Sequence, residues 1–381
     1  MKSNVRIEKI TLHNYRNHKF IELELDKNII LISGKNGSGK TNILESISLF
    51  NSTTGLKKTS LKEIVRKNMN KSGELFGVNL VCRINEEIIK MGLGLGKSFD
   101  SFKKIFNVDG IRSKDEVKKY LNIFWVVPKT TFLFQNSPEE RRKFIDQMIL
   151  STDKNFKKFI LLYEKYKKER MKILKRWSEI SSKWLKLVEQ RLASSGIIIC
   201  DARRNFIKQL NLNLSKFSSS ALSIKLNGEI DSLLLKKPAV EVEDFFVKKL
   251  EQNRKKDLLT GKTNFSANQT DLIIYDSISG SEAKTHSTGE QKMIIFSLIF
   301  SFIKSLENKK DFGIIFLLDD VFSFLDRKHV LMVLEKLNDL KVQTLITDVR
   351  NDWVTQDSYL NQMVHKINID DKRFKVFNNN I

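Results

Sequence analysis

Eight consecutive residues, Gly34-Lys35-Asn36-Gly37-Ser38-Gly39-Lys40-Thr41, fit G-x-x-x-x-G-K-[ST] at every fixed position. Three glycines let the backbone curl until successive N–H groups face one point. A helix that follows adds its free N-terminal N–H groups and the positive end of its dipole. This is chemistry for phosphate. Lys40 can reach the β- and γ-phosphates of ATP, and the Thr41 hydroxyl can hold Mg²⁺. The nucleotide-binding candidates are therefore Gly34, Lys35, Asn36, Gly37, Ser38, Gly39, Lys40, Thr41 and Asn42, with Lys40 also acting on the reacting phosphate.

Two further stretches could complete such a site. Residues 313–319 form an apolar run, GIIFLLD, ending in Asp319-Asp320. A buried strand closed by acids is a Walker B pattern, in which Asp319 joins Thr41 on Mg²⁺ and Asp320 polarises the attacking water. Upstream, Ser287-Thr288-Gly289-Glu290-Gln291 opens a run that is apolar nearly all round, which marks a buried helix with an exposed start. Ser287, Gly289 and Gln291 are the candidate contacts there, because a hydroxyl and a bare amide at a helix start attract anions.

The flanking elements suit these roles. Ile29 to Ile32 reads as a buried strand before the glycine loop, and Ile43, Leu44, Ile47 and Phe50 recur at helical spacing after it. Residues 5–12 and 21–25 alternate as strands around a turn at 13–18. Residues 52–73 are polar and basic, with Lys57 and Lys58 near the helix end. Strands are expected at 75–84, 87–95, from Phe102, and at 123–127, with a short helix at 114–121. Later come strands at 221–227 and 271–275, a basic helix at 242–258, a helix at 329–339 and the strand VQTLIT.

Residues 139–192 differ in kind. Phe156, Phe159, Tyr163, Tyr166, Ile173, Trp177, Ile180, Trp184 and Leu187 follow a three-four repeat, a heptad seam interrupted at Arg170. The spacing predicts one long helix, or two with a break near Ser181-Ser182, projecting as an arm. A second helix is expected at 197–217.

The 381 residues contain 67 Lys and Arg against 45 acids, a net charge of +22 that favours a polyanionic partner, nucleic acid before membrane. Cys82 and Cys200 sit in apolar surroundings without metal spacing, as reduced core thiols of a cytoplasmic protein do. The opening MKSNVRIEKITL lacks the apolar stretch of a signal peptide, and no apolar run is long enough to span a bilayer.

The order of P-loop, helix-start motif, acidic strand and S-x-L-D (Ser323 to Asp326) resembles an ABC-type ATPase head split by an insertion. Within that class the chain resembles the RecF family of bacterial DNA repair proteins over nearly its full length. ITLHNYRNHKFIELEL is similar to the family's opening, GKNGSGKTNILESISLF to its P-loop, and Ser137-Pro138-Glu139-Glu140-Arg141-Arg142-Lys143-Phe144-Ile145-Asp146 to its S-P-x-x-R-R-x-F-L-D segment. STGEQK resembles its signature, and LLDDVFSFLD its Walker B and D-loop. Three places depart from the pattern. FSANQTDL keeps only Asp271-Leu272 of G-P-H-R-x-D-L. Pro128-Lys129 stand where related ATPases carry a glutamine, for which Gln135 is the substitute candidate. Phe324 replaces a usual Glu.

The resemblance implies an α/β fold: an ABC-type P-loop ATPase head (1–150 and 260–381) with an inserted helical, short coiled-coil-like arm domain (151–259). It implies weak ATP hydrolysis as a conformational switch, binding to single-stranded and gapped or junction DNA, and action with RecO and RecR in loading RecA, in DNA damage repair and the SOS response. It also implies an ATP-dependent homodimer, in which Ser287 and Gly289 of one subunit cap a phosphate held by the partner's P-loop. Two other readings stay open: an ATP-hydrolysing transporter subunit, and a nucleotide-gated DNA-binding module with negligible turnover.

Overall fold

Alternating apolar and polar residues build the start of the chain. In a computed structural model, β1 (Val5–Tyr15) and β2 (His18–Glu24) form an antiparallel hairpin, with Leu12 opposite Ile21 and Tyr15 opposite His18. The structure describes residues 5–50, 55–57, 59–65, 75–98, 101–176, 181–218, 221–306, 313–322, 325–349, 354 and 358–371. The chain divides into two units, Met1–Thr131 with Leu306–Ile381, and Phe132–Ser305.

The first unit continues through β3 (Ile29–Ser33), α1 (Lys40–Ser48), α2 (Leu61–Ile64), β4 (Gly77–Ile84), β5 (Glu87–Ser98), β6 (Ser101–Val108), α3 (Lys114–Tyr120) and β7 (Asn122–Val126). One sheet, ordered β2-β1-β4-β5-β6, is antiparallel throughout. Its inward residues, among them Ile10, Leu12, Leu80 and Leu93, share a core with Ile30 and Ile32 of β3 and Ile123 and Trp125 of β7. β1 bulges between Ile7 and Lys9. Beside the bulge the Gln343 amide accepts from Ile7 N and donates to Ile7 O, each at 2.7 Å, so both backbone groups of Ile7 have a buried partner.

The second unit holds α4 (Pro138–Thr152), α5 (Lys154–Lys175), α6 (Ser181–Leu214), β8 (Leu222–Asn227), α7 (Glu229–Leu234), α8 (Ala239–Gln252), α9 (Arg254–Thr260), β9 (Asp271–Asp276) and α10 (Thr288–Leu306), with β8 and β9 as an antiparallel pair. Of the two expectations for the heptad seam, the structure has the broken one: α5 ends at Lys175 and α6 starts at Ser181. Asp153 ends α4 and caps α5 through Asn155 N and Phe156 N. α6 then runs back along α5, so that Arg170 meets Glu189 and Tyr163 lies beside Gly196. α6 also absorbs the separate helix expected at 197–217. Phe156 and Tyr163 are buried as the seam requires, but Trp184 and Leu187 are 52% and 40% exposed. Trp177 and Ile180 lie outside the described residues.

Arg170, the break in the heptad, is fully buried. It donates to Glu189 Oε1 (3.0 Å), Asp257 Oδ2 (2.7 Å), Thr263 Oγ1 (3.2 Å) and Leu250 O (2.8 Å). Glu189 also pairs with Arg254. A buried guanidinium needs such a set of partners to offset its desolvation. The boundaries expected at 150 and 259 fall inside this unit, which includes α4 and the segment up to Ser305.

The chain re-enters the first unit with β10 (Ile314–Asp319), α11 (Arg327–Asp339), β11 (Gln343–Asp348), α12 (Ser358–Met363) and β12 (Val364–Asn368). These complete a wholly parallel sheet, β12-β3-β11-β10-β7. All six residues of β10 and of β11 are buried, as a covered parallel strand requires. Among the described residues no helix is long and apolar enough to cross a membrane.

Candidate functional site

Ligands of parallel α/β sheets collect at the carboxyl ends of the strands. Here three strand ends meet in register: Ser33 of β3 opposes Asp348 of β11, and Thr347 opposes Asp319 of β10. The glycine loop leaves β3 at this edge. Gly34, Gly37 and Gly39 have φ of 154°, 82° and 104°, and Gly39, in the left-handed region, is the N-cap of α1. Lys40 is buried and its ammonium donates to Gly34 O (2.6 Å) and Lys35 O (2.9 Å).

The P-loop and the acidic strand, 278 residues apart, are joined directly: Thr41 Oγ1 donates to Asp319 Oδ1 at 2.8 Å. Thr347 organises both acids. Its hydroxyl donates to Asp319 Oδ1 (2.8 Å) and accepts from Asp320 N (3.1 Å), while its carbonyl accepts from the same N–H (3.0 Å). Asp320 turns off the strand at φ 48°. Burial pushes the Asp319 carboxyl above its ordinary range, against hydrogen bonds from Thr41 and Thr347 and the charge of Lys57. Thr41 and Asp319 are hard oxygen donors of the kind that bind Mg²⁺. Ser38 Oγ is buried without a hydrogen-bond partner among the described residues, and a phosphate oxygen is the acceptor it lacks. The loop thus fits a nucleotide, and the Thr41–Asp319 pair fits its metal.

Residues with no motif of their own brace the loop. The β1–β2 turn lies against it: Asn17 Nδ2 donates to Ser38 O (3.0 Å), and His18 Nε2 lies 3.3 Å from Gly39 O. Asn42 donates to Asn17 Oδ1 (2.7 Å) and accepts from Lys57 Nζ (2.8 Å). Arg16 grips buried Glu45 of α1, which also accepts from Tyr15 and Thr59. Burial lowers the His18 pKa. At the far end of the chain, Asp370 Oδ2 accepts from Lys35 N at 2.6 Å. The family-like opening NYRNH was the available signal for the turn; nothing local marks Thr347 or Asp370.

In the second unit, Ser287 and Glu290 form a capping box: Ser287 N donates to Glu290 Oε2 (2.8 Å), and Glu290 N to Ser287 Oγ (3.4 Å). A Cβ on Gly289 would meet nothing within 4 Å, so the start of α10 is open above that residue. Gln291 is buried, and its amide nitrogen donates to Lys284 O (3.1 Å) and His286 O (2.8 Å), bracing the turn from below. The R-R-x-F-x-D segment has a structural use. Arg141 is bidentate to Asp271 at 2.8 Å, Arg142 donates to Thr270 O, and Asp146 holds buried Arg203, which reaches Ala267 O. The segment therefore clamps the stretch that retains Asp271-Leu272. Gln135 is exposed in the turn before α4. Asp326 caps α11 through His329 N, while Lys58, Ser323 and Phe324 lie outside the described residues.

The family described as RecF/RecN/SMC N terminal domain matches residues 6–371. The DNA replication and repair protein RecF of Rickettsia prowazekii (strain Madrid E) is 30% identical over 355 residues, 90% of this chain and 94% of that protein. Its counterpart in Rickettsia conorii (strain ATCC VR-613 / Malish 7) is 31% identical, covering 90% and 94%. Among solved structures, the recombination mediator protein RecF-ATPrS of the RecFOR pathway superposes with a TM-score of 0.80 at 24% identity, covering 97% of each chain. RecF-ATP of the same pathway gives 0.76 at 25% identity, covering 92% and 94%. An SMC head bound to the C-winged helix domain of ScpA gives 0.50 at 14%, covering 92% and 91%. The fold is thus that of an ABC-type ATPase head.

Proposed function

The chain belongs to the RecF family, and from that premise we propose that it is an ATP-dependent DNA-binding protein of recombinational repair and replication-fork maintenance. The observation that carries the nucleotide reading is the 2.8 Å bond from Thr41 to Asp319, which brings a P-loop hydroxyl and a strand-end acid to one point. Lys40 and the loop amides hold the phosphates, and the buried Ser38 hydroxyl donates to one of their oxygens. Thr41 and Asp319 would hold Mg²⁺, which would supply neutralisation of phosphate charge. Asp320, its backbone fixed by Thr347, takes the proton of the attacking water. Turnover is weak and serves as a switch.

The charge of +22 supports DNA as the macromolecular ligand, and the family resemblance implies its single-stranded and gapped form. Two copies join through ATP, the exposed Ser287–Gly289 start of one α10 capping the phosphate on its partner's P-loop. RecO and RecR are the partner proteins, and RecA the protein loaded.

Filter binding on gapped DNA, with and without ATP, tests this directly. Retention should require ATP and should disappear in Lys40→Ala, which loses ATP binding in equilibrium dialysis while its circular dichroism is unchanged. Unchanged ATP affinity in that variant would sink the P-loop assignment. DNA should also stimulate hydrolysis; a rate indifferent to DNA favours the transporter-subunit reading.

A further inference from the structure

β12 runs parallel beside β3, so its carboxyl end lies next to the root of the glycine loop, with Asn368 opposite Ser33. The chain turns there. Ile369 N donates to Ser33 O (3.0 Å), Asp370 N to Asn368 Oδ1 (3.1 Å) and Asp371 N to Asn368 O (3.1 Å). The turn sets two side chains against Gly34: a Cβ on that glycine would lie 2.9 Å from Ile369 Cγ1 and 3.2 Å from Asp370 Oδ2. From this position Asp370 Oδ2 accepts from Lys35 N at 2.6 Å. Asp370 is exposed, and no ion pair neutralises it among the described residues.

The N–H of Lys35 and the C=O of Gly34 belong to one peptide group. A trans peptide is planar and points these two groups to opposite sides. Holding the N–H on Asp370 therefore aims Gly34 O the other way, and there it accepts from Lys40 Nζ at 2.6 Å. Lys35 O, one peptide further on, accepts from Lys40 Nζ (2.9 Å) and from Ser38 N (3.2 Å). The other clamp on the loop does not reach this peptide, because Asn17 and His18 hold the carbonyls of Ser38 and Gly39.

We propose that Asp370 is a positioning residue of the nucleotide site: it locks the Gly34–Lys35 peptide and, through it, the Lys40 ammonium. The proposal rests on the nucleotide reading above and adds a residue 335 positions beyond Lys35, outside every motif. Gly34 has no side chain to resist rotation, so an unanchored peptide there can turn over at little cost. A turned peptide carries Gly34 O away from Lys40, and the ammonium loses one of the two carbonyls that aim it. What Asp370 supplies is an acceptor. Its charge is not needed for that, and a carboxylate beside a phosphate loop repels the nucleotide. An amide oxygen at the same place holds the peptide without the repulsion, so the two effects of this side chain can be separated.

The test compares the full-length wild type with Asp370→Ala and Asp370→Asn. Binding of ATP and of ADP is measured by titration calorimetry with Mg²⁺, and melting temperatures are taken without nucleotide. Asp370→Ala should weaken both nucleotides by about tenfold, the loss expected when one charge-assisted hydrogen bond is removed. Asp370→Asn should bind both at least as tightly as the wild type, since it keeps the acceptor and drops the repulsion. The three melting temperatures should agree, which separates lost positioning from lost fold. Wild-type affinity in Asp370→Ala would overturn the proposal. So would an Asp370→Asn protein that melts with the wild type yet binds as weakly as Asp370→Ala, and this comparison decides even where the alanine variant melts early. Wild-type protein that binds neither nucleotide refutes the nucleotide reading itself, and is told apart because the unmodified chain then fails.

Discussion

Replacing Gly39 by alanine should destabilise the P-loop far more than the same change at Gly37, although both have positive φ (104° and 82°). Each alanine incurs a left-handed backbone cost of about 1–2 kcal/mol, offset in part by roughly 0.4–1 kcal/mol of lost unfolded-state freedom. There the two positions part. A Cβ at Gly37 meets nothing within 4 Å, whereas one at Gly39 would collide with His18 Nε2 and sit 2.7 Å from both amide atoms of Asn17. Those side chains can swing away, but only by giving up their bonds to Gly39 O and Ser38 O. Two hydrogen bonds at about 1 kcal/mol each make the excess about 2 kcal/mol. Native-state hydrogen exchange of the Ile43 and Leu44 amides reads this locally, whatever the second unit does. In an Asn17→Gly/His18→Gly background the excess should vanish, as a double-mutant cycle requires. Equal exchange free energies for Gly37→Ala and Gly39→Ala would refute the clamp.

Three further outcomes are expected. Because burial raises the Asp319 pKa, the folded chain holds that proton more tightly than the unfolded one, so this contribution is present below the ordinary carboxylate range and is lost as pH rises through the raised value. Asp319→Asn should therefore melt above wild type at neutral pH in chelator, with the advantage gone below about pH 4; a variant less stable at neutral pH contradicts the assignment. Arg170→Met should cost about 3–5 kcal/mol in urea unfolding of the second unit, since Asp257 and Glu189 stay buried, and Arg170→Lys should not restore it because one ammonium cannot reproduce the fork. Ser287→Arg should bind ATP yet stay monomeric in sedimentation, while Asp320→Asn should dimerise with ATP and persist on DNA; a Ser287→Arg protein that dimerises with nucleotide removes the shared site.

Whatever depends on neighbours along the chain was legible before the fold was known. Strand, glycine loop and helix are contiguous from Ile29 to Ser48, so residue type and spacing alone specify a phosphate loop. The acid-tipped strand at Asp319 and the capped helix after Ser287 are equally local. What tertiary structure decided has partners far away in sequence. Arg170 reads as a fault in a heptad until Asp257, 87 residues on, is seen to meet it. Arg141 finds Asp271 across 130 residues, and Thr347 lies 28 residues from the acid it holds. The seam itself shows the limit: a three-four repeat demands only that one stripe of the helix be covered, and a hairpin of α5 on α6 can cover it as well as a rod with a partner. Periodicity states which face must be buried; only chain reversal and packing decide against what.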